Sequence, residues 1–223
     1  MTIRVLVADD QPLMRAAFEM TLRTEEDIEL VGEASDGLDA VEQARRLRPD
    51  VILMDVRMPG LDGVEATRIL AAEDRTTKIL ILTTFEIDEY VIEAIRAGAS
   101  GFLLKDVRPS DLIEAIRIVA RGDALLAPSV TRHLLESIAP SLPALRPPKV
   151  GMLDALTPTE RKVLALVGRG ASNQEIAAEL FVADTTVRTH IRHILEKLAL
   201  RDRVQAVVLA YDTGLVQPHA SSS

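Results

Sequence analysis

Four short apolar segments in the first half of the chain each run directly into residues that can take part in phosphoryl chemistry. These residues are three acids, a hydroxyl and an ammonium group, namely Asp9, Asp10, Asp55, Thr83 and Lys105. In an open parallel sheet, ligands bind beyond the carboxyl ends of the strands, where residues distant in sequence converge. We therefore expect these five side chains to share one pocket.

The charges of such a pocket define its chemistry. Carboxylates at close range repel one another unless a hard cation lies among them. Mg2+ suits this role because it takes one or two carboxylates while keeping several waters and a phosphate oxygen. The lysine and the hydroxyl would then hold the remaining phosphate oxygens.

The elements that must position these residues alternate between strand and helix. Helical spacing of apolar residues over 12–24 and 37–47 separates the apolar segments, and Leu30-Val31 adds a second strand. Five strand–helix units result, the last helix covering about 109–120. This order predicts the α/β class, with a doubly wound five-stranded parallel sheet.

Residues 1–121 resemble the receiver domain of a bacterial two-component response regulator. The resemblance rests on motifs that follow the strands: Asp9-Asp10, Asp55 with Met58-Pro59-Gly60 and Asp62-Gly63, Thr83, and Lys105-Asp106. It implies a flavodoxin-like strand order of 2-1-3-4-5. The topological switch point then lies between the strands that end at Asp10 and Asp55.

The resemblance also implies a metal site and a phosphoacceptor. Asp55 would accept the phosphoryl group from a phosphohistidine of a sensor histidine kinase. Asp10, Asp55 and the backbone carbonyl of Arg57 would hold Mg2+, with Asp9 reaching the ion through water.

A conformational switch is implied as well. Thr83 and Lys105 would bind the transferred phosphoryl group, and this contact would pull the Thr83 loop inward. The aromatic ring of Phe102 would then rotate inward and reshape the face formed by the fourth and fifth units. On the residues alone, Phe102 reads more simply as a core residue.

Composition and charge exclude several classes of protein. The chain has 223 residues, a formal net charge of -8 and no cysteine, so disulfides, thiolate metal sites and cysteine nucleophiles are ruled out. The first residues enter a strand directly, and no apolar run approaches the ~18 residues of a membrane span. We expect a cytoplasmic protein with no membrane partner.

A proline-rich segment divides the chain. Five of the eleven prolines lie between Pro128 and Pro148, and most of this segment lacks a helical or strand period. We expect an extended, mobile linker over 122–152, with one short helix at about 129–138, and a disordered tail over 217–223.

The second half begins with two helix-start signals, Thr157-Pro158-Thr159-Glu160 and Ser172-Asn173-Gln174-Glu175. A third helix from about Asp184 carries an apolar stripe of Val187, Ile191, Ile194, Leu195 and Leu198. Two helices joined by a tight turn, the second with a basic front, predict a helix-turn-helix motif for the major groove of DNA.

Residues 153–216 resemble the four-helix DNA-binding domain of the LuxR type, so the whole chain resembles a response regulator of the NarL/FixJ type. The resemblance rests on these residues: Thr157, Glu160, Gly170, Ser172-Asn173, Glu175-Ile176-Ala177, Thr186-Val187, His190, Ile194 and Lys197-Leu198. One position departs from the pattern, because Ala183 replaces the usual serine or threonine. Either Asp184 caps the helix, or the cap and its phosphate contact are lost.

The distribution of charge supports a nucleic-acid partner. Residues 1–121 have a net charge of -9, whereas Thr185–Arg203 has a local net charge of +3. We expect groove contacts from Arg188 and Arg192 with Thr189 alongside, and a phosphate contact from Lys197. Thr185 and Asn173 complete the predicted DNA-binding set. A phosphorylated homodimer would bind two half-sites of double-stranded DNA.

Two other functions stay open. A Mg2+-dependent phosphohydrolase would need a second aspartate two positions after Asp55, where Arg57 stands; we expect no enzyme. The other is a constitutive DNA-binding protein with a dimerising pseudo-receiver. For the response regulator, the cationic Arg57 and bulky Phe85 would obstruct attacking water, so we expect slow autodephosphorylation.

Overall fold

The computed structural model describes residues 2–74, 76–83, 89–122 and 152–216, with the backbone alone at 89–92 and 152. The chain divides into two compact units, Met1–Leu125 and Leu126–Ser223. Most of the predicted linker, including the helix at 129–138, lies outside the described residues. The predicted tail and Phe85 lie outside them too.

The first unit contains a five-stranded sheet. Its strands are β1 (Ile3–Ala8), β2 (Ile28–Ala34), β3 (Val51–Asp55), β4 (Lys78–Thr83) and β5 (Gly101–Leu104). All four strand pairs are parallel and the order is β2-β1-β3-β4-β5. The predicted α/β class and strand order are therefore confirmed.

One helix follows each strand. The five are α1 (Pro12–Leu22), α2 (Gly37–Leu47), α3 (Gly63–Glu73), α4 (Glu89–Ala97) and α5 (Pro109–Ala120). Side chains of α1 and α5, such as Phe18 and Ile116, share one core cluster with Val7 and Leu53 of the sheet. The alternate residues of β1, β3 and β4, such as Leu6, Ile52 and Ile81, are fully buried as well, as strands covered on both faces require.

The second unit is all helical in its described part. A 3-10 helix (Met152–Ala155) precedes α6 (Pro158–Gly168), α7 (Asn173–Leu180), α8 (Asp184–Lys197) and α9 (Arg203–Asp212). Both predicted capping boxes are present, at Thr157 with Glu160 and at Ser172 with Glu175. Val163, Ile176, Val187 and Ile194 lie in its core, which confirms the predicted four-helix unit.

Within residues 2–74, 76–83, 89–122 and 152–216, no helix combines the length and the apolar character that crossing a membrane requires.

Candidate functional site

Four adjacent strands end along one edge of the sheet. The register pairs Ala8 with Met54, Asp55 with Leu82, and Thr83 with Leu104. The residues at or just after these ends therefore lie side by side, although about 95 positions separate the first from the last. The structure brings together Asp9, Asp55, Thr83 and Lys105 in this way.

The ammonium group of Lys105 lies between two buried carboxylates. Its Nζ atom is 2.7 Å from Asp9 Oδ2 and 2.8 Å from Asp55 Oδ2. The side chains of Asp9, Asp55 and Lys105 are 0%, 7% and 6% exposed. In addition, the backbone N–H of Lys105 donates to the carbonyl of Thr83 at 2.7 Å, which joins β5 to the end of β4.

Asp9 is oriented by the loop that follows it. The backbone N–H of Gln11 donates to Asp9 Oδ1 at 2.9 Å, so one carboxylate oxygen faces the loop and the other faces Lys105. Arg15 donates to the carbonyl oxygen of Asp9 at 2.8 Å and pairs with Glu33 at 3.0 Å. The start of α1 is thereby fastened to β2.

Asp10 completes a cluster of three carboxylates. Oxygen atoms of Asp9, Asp10 and Asp55 all lie within 4.8 Å of one another. Asp10 is exposed, whereas Asp9 and Asp55 are buried. A hard cation bound here would meet carboxylate oxygen on the protein side and water on the other, which is the coordination that Mg2+ prefers.

Burial and charge shift the pKa values of the central pair. Burial, together with the negative charge of Asp9, raises the pKa of Asp55 against the opposing hydrogen bond from Lys105. Burial works to lower the pKa of Lys105, but its hydrogen bonds to Asp55 and Asp9 outweigh that effect and raise it. Lys105 is therefore a fixed cation in this site at neutral pH.

The segment after Asp55 returns closely over the strand end. Gly63 N donates to the carbonyl of Val56 at 2.9 Å, and a Cβ atom added at Gly63 would lie 1.9 Å from the carbonyl oxygen of Asp55. Asp62 caps α3 by accepting from Glu65 N at 2.8 Å. The motif glycine thus lets α3 begin against Asp55, a reason that sequence reasoning did not find.

The predicted switch residues are both interior. Thr83 is 6% exposed and Phe102 is 9% exposed. Arg57 is exposed, and its N–H lies 3.4 Å from Asp55 Oδ1. The inward rotation of Phe102 and the metal contact of the Arg57 carbonyl stay predictions.

In the second unit, α7 and α8 are joined by a three-residue turn. Phe181 adopts the left-handed conformation (φ 55°) and ends α7. Val187 is fully buried, so the apolar stripe of α8 faces the core. On the remaining surface, the predicted contact residues are exposed: Thr185, Arg188, Thr189 and Arg192.

The start of α8 decides the question raised by Ala183. Ala183 is the N-cap residue and supplies no side-chain hydrogen bond. Asp184 is the first helical residue and accepts from Arg188 Nε at 2.7 Å instead of capping. Of the two alternatives, capping by Asp184 is therefore excluded, because its backbone already lies inside the helix. The side-chain cap is lost.

Lys197 has a partner that sequence reasoning missed. Its Nζ atom donates to Glu160 Oε1 at 2.9 Å and to Glu160 Oε2 at 2.7 Å. The Glu160 side chain is 5% exposed, and the Lys197 ammonium, ahead of the Thr157 hydrogen bonds, lowers its pKa. The sequence offered only the two charged residues themselves, the capping-box Glu160 and Lys197 of α8. With 37 positions between them, nothing in the sequence indicated that they would pair.

Asn173, another predicted DNA contact, lies at the first position of α7. Its Oδ1 accepts from Arg203 Nη1 at 2.6 Å, and Arg203 also donates to the carbonyl of Ala171. Arg203 of α9 therefore orients the Asn173 amide, with the acceptor atom facing Arg203 and the amide donors on the opposite side.

Comparison with known proteins matches both units to families. The response regulator receiver domain matches residues 5–117, and the bacterial regulatory proteins of the luxR family match residues 154–210. The chain belongs to the response regulators that join a receiver domain to a LuxR-type DNA-binding domain. It is thus a regulator of transcription in a two-component system.

Two relatives illustrate the similarity over nearly the whole chain. Transcriptional regulatory protein YxjL of Bacillus subtilis (strain 168) is 43% identical over 215 residues, which cover 96% of this chain and 98% of the relative. Response regulator protein VraR of Staphylococcus aureus (strain Mu3 / ATCC 700698) is 37% identical, covering 97% of this chain and 100% of the relative.

Solved structures agree with this membership. The response regulator ChrA of a heme-sensing two-component system is 35% identical with a TM-score of 0.52, covering 96% of this chain and 99% of that one. A LuxR-family response regulator from Aurantimonas sp. SI85-9A1 is 30% identical with a TM-score of 0.57, covering 62% and 99%.

Proposed function

We propose that phosphorylation of Asp55 by a sensor histidine kinase controls sequence-specific DNA binding by the second unit. The observation that carries this proposal is the convergence of Asp9, Asp10, Asp55, Thr83 and Lys105 at one sheet edge. Asp55 is the proposed acceptor because it stands where the matched receiver family has its phosphoacceptor. Its side chain is 7% exposed, whereas Asp9 is 0% exposed with both carboxylate oxygens engaged by Gln11 N and Lys105. We propose that the protein works in the cytoplasm.

The residues fit a Mg2+ ion. Asp10 and Asp55, with the backbone carbonyl of Arg57, would ligate the ion directly, and Asp9 would contact it through water. When bound, Mg2+ supplies positive charge that offsets the clustered carboxylates and the incoming phosphoryl oxygens. Lys105 supplies a second, permanent positive charge on the other side of Asp55.

Two side chains of this protein would bind the phosphoryl group once it is on Asp55. A phosphoryl group on Asp55 Oδ2 would replace the carboxylate charge that Lys105 now contacts at 2.8 Å, so the ammonium would meet a phosphoryl oxygen instead. The hydroxyl of Thr83, on the adjacent strand end, would take another oxygen. The backbone N–H of Lys105 donates a hydrogen bond to the carbonyl of Thr83. Movement of either residue would therefore shift both strand ends, that of β4 and that of β5. A change in the orientation of the Phe102 ring of β5, which is 9% exposed in this structure, would carry this change to the surface.

The surface of α1 supports a protein donor of the phosphoryl group. Leu13 and Met20 are 82% and 72% exposed, and Ala16 and Ala17 between them are exposed too. These four residues form one apolar stripe at helical spacing, which begins three positions after Asp10. A kinase domain that docks on the stripe would lie beside the mouth of the site.

That docking has a direct test. Leu13→Asp should slow phosphorylation by the kinase and leave phosphorylation by acetyl phosphate unchanged, because the small donor needs no docking surface. Thr24→Asp, an exposed change beyond the end of the same helix, is the matched control. Equal slowing with both donors would contradict docking on the stripe.

For DNA, the exposed surface of α8 would enter the major groove. Arg192 and Arg188 are the proposed base contacts with Thr189 and Thr185 alongside, and Asn173 would donate to a phosphate. For Lys197 the sequence predicts a phosphate contact, whereas in the structure its ammonium is paired with Glu160. Phosphorylation would favour a homodimer, which places two copies of α8 on successive half-sites.

The test of the acceptor uses the full chain with acetyl phosphate and Mg2+. Intact-mass and peptide analysis should find one phosphoryl group, on Asp55, and Asp55→Asn should abolish it. Asp106→Asn removes an exposed carboxylate next to Lys105 and serves as the matched control. Labelling of a different residue would overturn the proposal.

The two remaining functions are separated by further measurements. Continuous release of phosphate from a phosphate ester would favour a phosphohydrolase, since a response regulator is labelled rather than cycling. DNA affinity and oligomeric state that stay the same with and without beryllofluoride, and in Asp55→Asn, would favour the constitutive DNA-binding protein. The proposal expects beryllofluoride to increase both dimerisation and affinity.

A further inference from the structure

The recognition helix α8 is held in place by two kinds of contact. Its apolar stripe, including Val187, Ile194 and Leu198, packs into the core of the second unit. The hydrophobic effect is non-directional, and this packing fixes which side of the helix faces inward. The bidentate ion pair between Lys197 and Glu160 is directional and acts at the C-terminal end of the helix.

The position of Lys197 on α8 sets it apart from the proposed groove contacts. At 3.6 residues per turn, Lys197 lies about 180° around the helix from Arg188 and about 140° from Arg192. It therefore lies on the opposite flank, towards α6. Its ammonium is bonded to a glutamate whose side chain is 5% exposed, while Lys197 itself is 38% exposed.

Glu160 is itself held firmly. Its Oε2 accepts from Thr157 N at 2.9 Å, and its own N–H donates to Thr157 Oγ1 at 3.2 Å. The capping box of α6 thus holds the Glu160 carboxylate in place, and this carboxylate binds Lys197 at the C-terminal end of α8. An ion pair with one anchored partner restrains the other partner more than two mobile surface side chains would.

We propose that the Glu160–Lys197 pair is a positioning pair, which sets the rotation of α8 and so the sequence selectivity of DNA binding. This inference rests on the proposed DNA-binding function. Side chains extend to a radius of 5–6 Å from a helix axis, so a rotation of about 10° moves a groove contact by about 1 Å. A displacement of that size exceeds the tolerance of a preorganised site.

The alternative is that Lys197 contacts a DNA phosphate, and the two roles differ in what they change. A phosphate contact adds affinity for every sequence and steepens the salt dependence. A positioning pair changes the preference for the correct sequence and leaves the number of phosphate contacts unchanged. Loss of Glu160 also distinguishes them, because Glu160 is acidic and could only repel DNA.

The experiment uses the full chain with beryllofluoride and two duplexes. One is selected by the wild-type protein from a random pool, and the other is a scrambled version of it. Affinities are measured over a range of salt concentrations for Glu160→Gln, Lys197→Met and the double variant. Glu160→Gln keeps an oxygen acceptor for Thr157 N, and thermal unfolding followed by circular dichroism confirms folding.

A positioning pair predicts a specific pattern. Each single variant should weaken binding to the selected duplex about tenfold, the size of a typical coupling between contacting residues, and the double variant should be no weaker than either. Binding to the scrambled duplex and the salt slope should not change. Lys197→Arg should recover selectivity, and it tests the inference even if Glu160→Gln folds poorly.

Two controls isolate positioning from stability and from charge. Val207→Ala removes buried methyl groups from α9 and leaves Thr157, Glu160 and Lys197 in place, so it should lower the melting temperature without changing selectivity. Lys162→Met removes an exposed cation from α6 and should also leave selectivity unchanged. Loss of selectivity in either control would overturn the inference.

A different outcome would assign Lys197 to phosphate. Lys197→Met would then weaken both duplexes equally and reduce the salt slope by about 1, while Glu160→Gln would leave binding unchanged or tighter. That pattern overturns the positioning pair and leaves the proposed function standing. Absence of DNA binding by the wild-type chain would overturn the proposed function, and this inference with it.

Discussion

Replacing Lys105 with methionine should destabilise the first unit strongly. Lys105 is the cation between Asp9 and Asp55, which are both buried and have carboxylate oxygens within 4.8 Å of each other. Methionine fills nearly the same volume, so little cavity forms and the change is mainly electrostatic. Two buried carboxylates would then face each other without compensation.

The size of the effect follows from that burial. Removing one partner of a buried ion pair costs about 3–5 kcal/mol, because the remaining charge is left uncompensated. Exposed Asp10 marks a side of the site that water can reach, so we expect about 3 kcal/mol, the lower end of this range. Arg23→Met, which removes an exposed cation paired with Glu19, should cost less than about 1 kcal/mol.

Urea unfolding of the full chain, followed by circular dichroism with EDTA present, measures this cost. The transition of the first unit is identified as the one that responds to Mg2+. Excess Mg2+ should recover much of the loss, since a ligand at a hundredfold excess over its Kd stabilises by about 2.7 kcal/mol. A loss below about 1 kcal/mol, or no recovery with Mg2+, would refute the reasoning.

The loss should also depend on pH in a defined direction. The pKa of Asp55 is raised in the folded chain above its ordinary value of 3.8. The native state therefore binds more protons than the unfolded state between these two values, and stability falls as pH rises through that window. Lys105→Met removes an opposing hydrogen bond that lowers this pKa, so its deficit should be largest at neutral pH and shrink towards pH 4. A deficit independent of pH would contradict this account.

Three further changes test separate features. Gly63→Ala places a Cβ atom against the Asp55 carbonyl, so urea unfolding should show a loss of about 1–3 kcal/mol and acetyl phosphate should label Asp55 more slowly. An unchanged labelling rate would show that the close approach is unimportant. Ala183→Ser supplies the missing cap of α8 and should raise the stability of the second unit by about 1 kcal/mol in thermal unfolding; no gain would mean that water already satisfies this helix end. Phe85→Ala should speed the decay of the acyl phosphate measured by phosphate release, and an unchanged rate would contradict the prediction that Phe85 obstructs water.

Sequence reasoning succeeded where the signal was local. Alternating apolar segments and helical periods predicted the five strand–helix units, and the capping boxes at Thr157 and Ser172 located the starts of α6 and α7. Each of these signals spans only a few residues, so it can be read without knowing the partners of the segment. The start of α8 lacked such a signal, so the sequence left open whether Asp184 caps the helix or the cap is lost, and the structure decided for the loss of the side-chain cap.

In the candidate site, too, the residue types were predictable from the sequence, but their contacts were not. The types and order of Asp9, Asp55 and Lys105 follow directly from the sequence. Because each follows a strand of a predicted parallel sheet, they were expected at one edge of that sheet. Only the folded structure decided that one ammonium would lie between both buried acids, since side-chain packing sets such distances.

The chain by itself thus determined the elements, the chemical groups and their order, because periodicity and end signals act over short stretches. Tertiary structure alone decided the approach of Gly63 to Asp55 and the pairing of Lys197 with Glu160 across 37 positions. Contacts of this kind depend on how helices pack in three dimensions. No pattern within one helix specifies which residue of another will meet it.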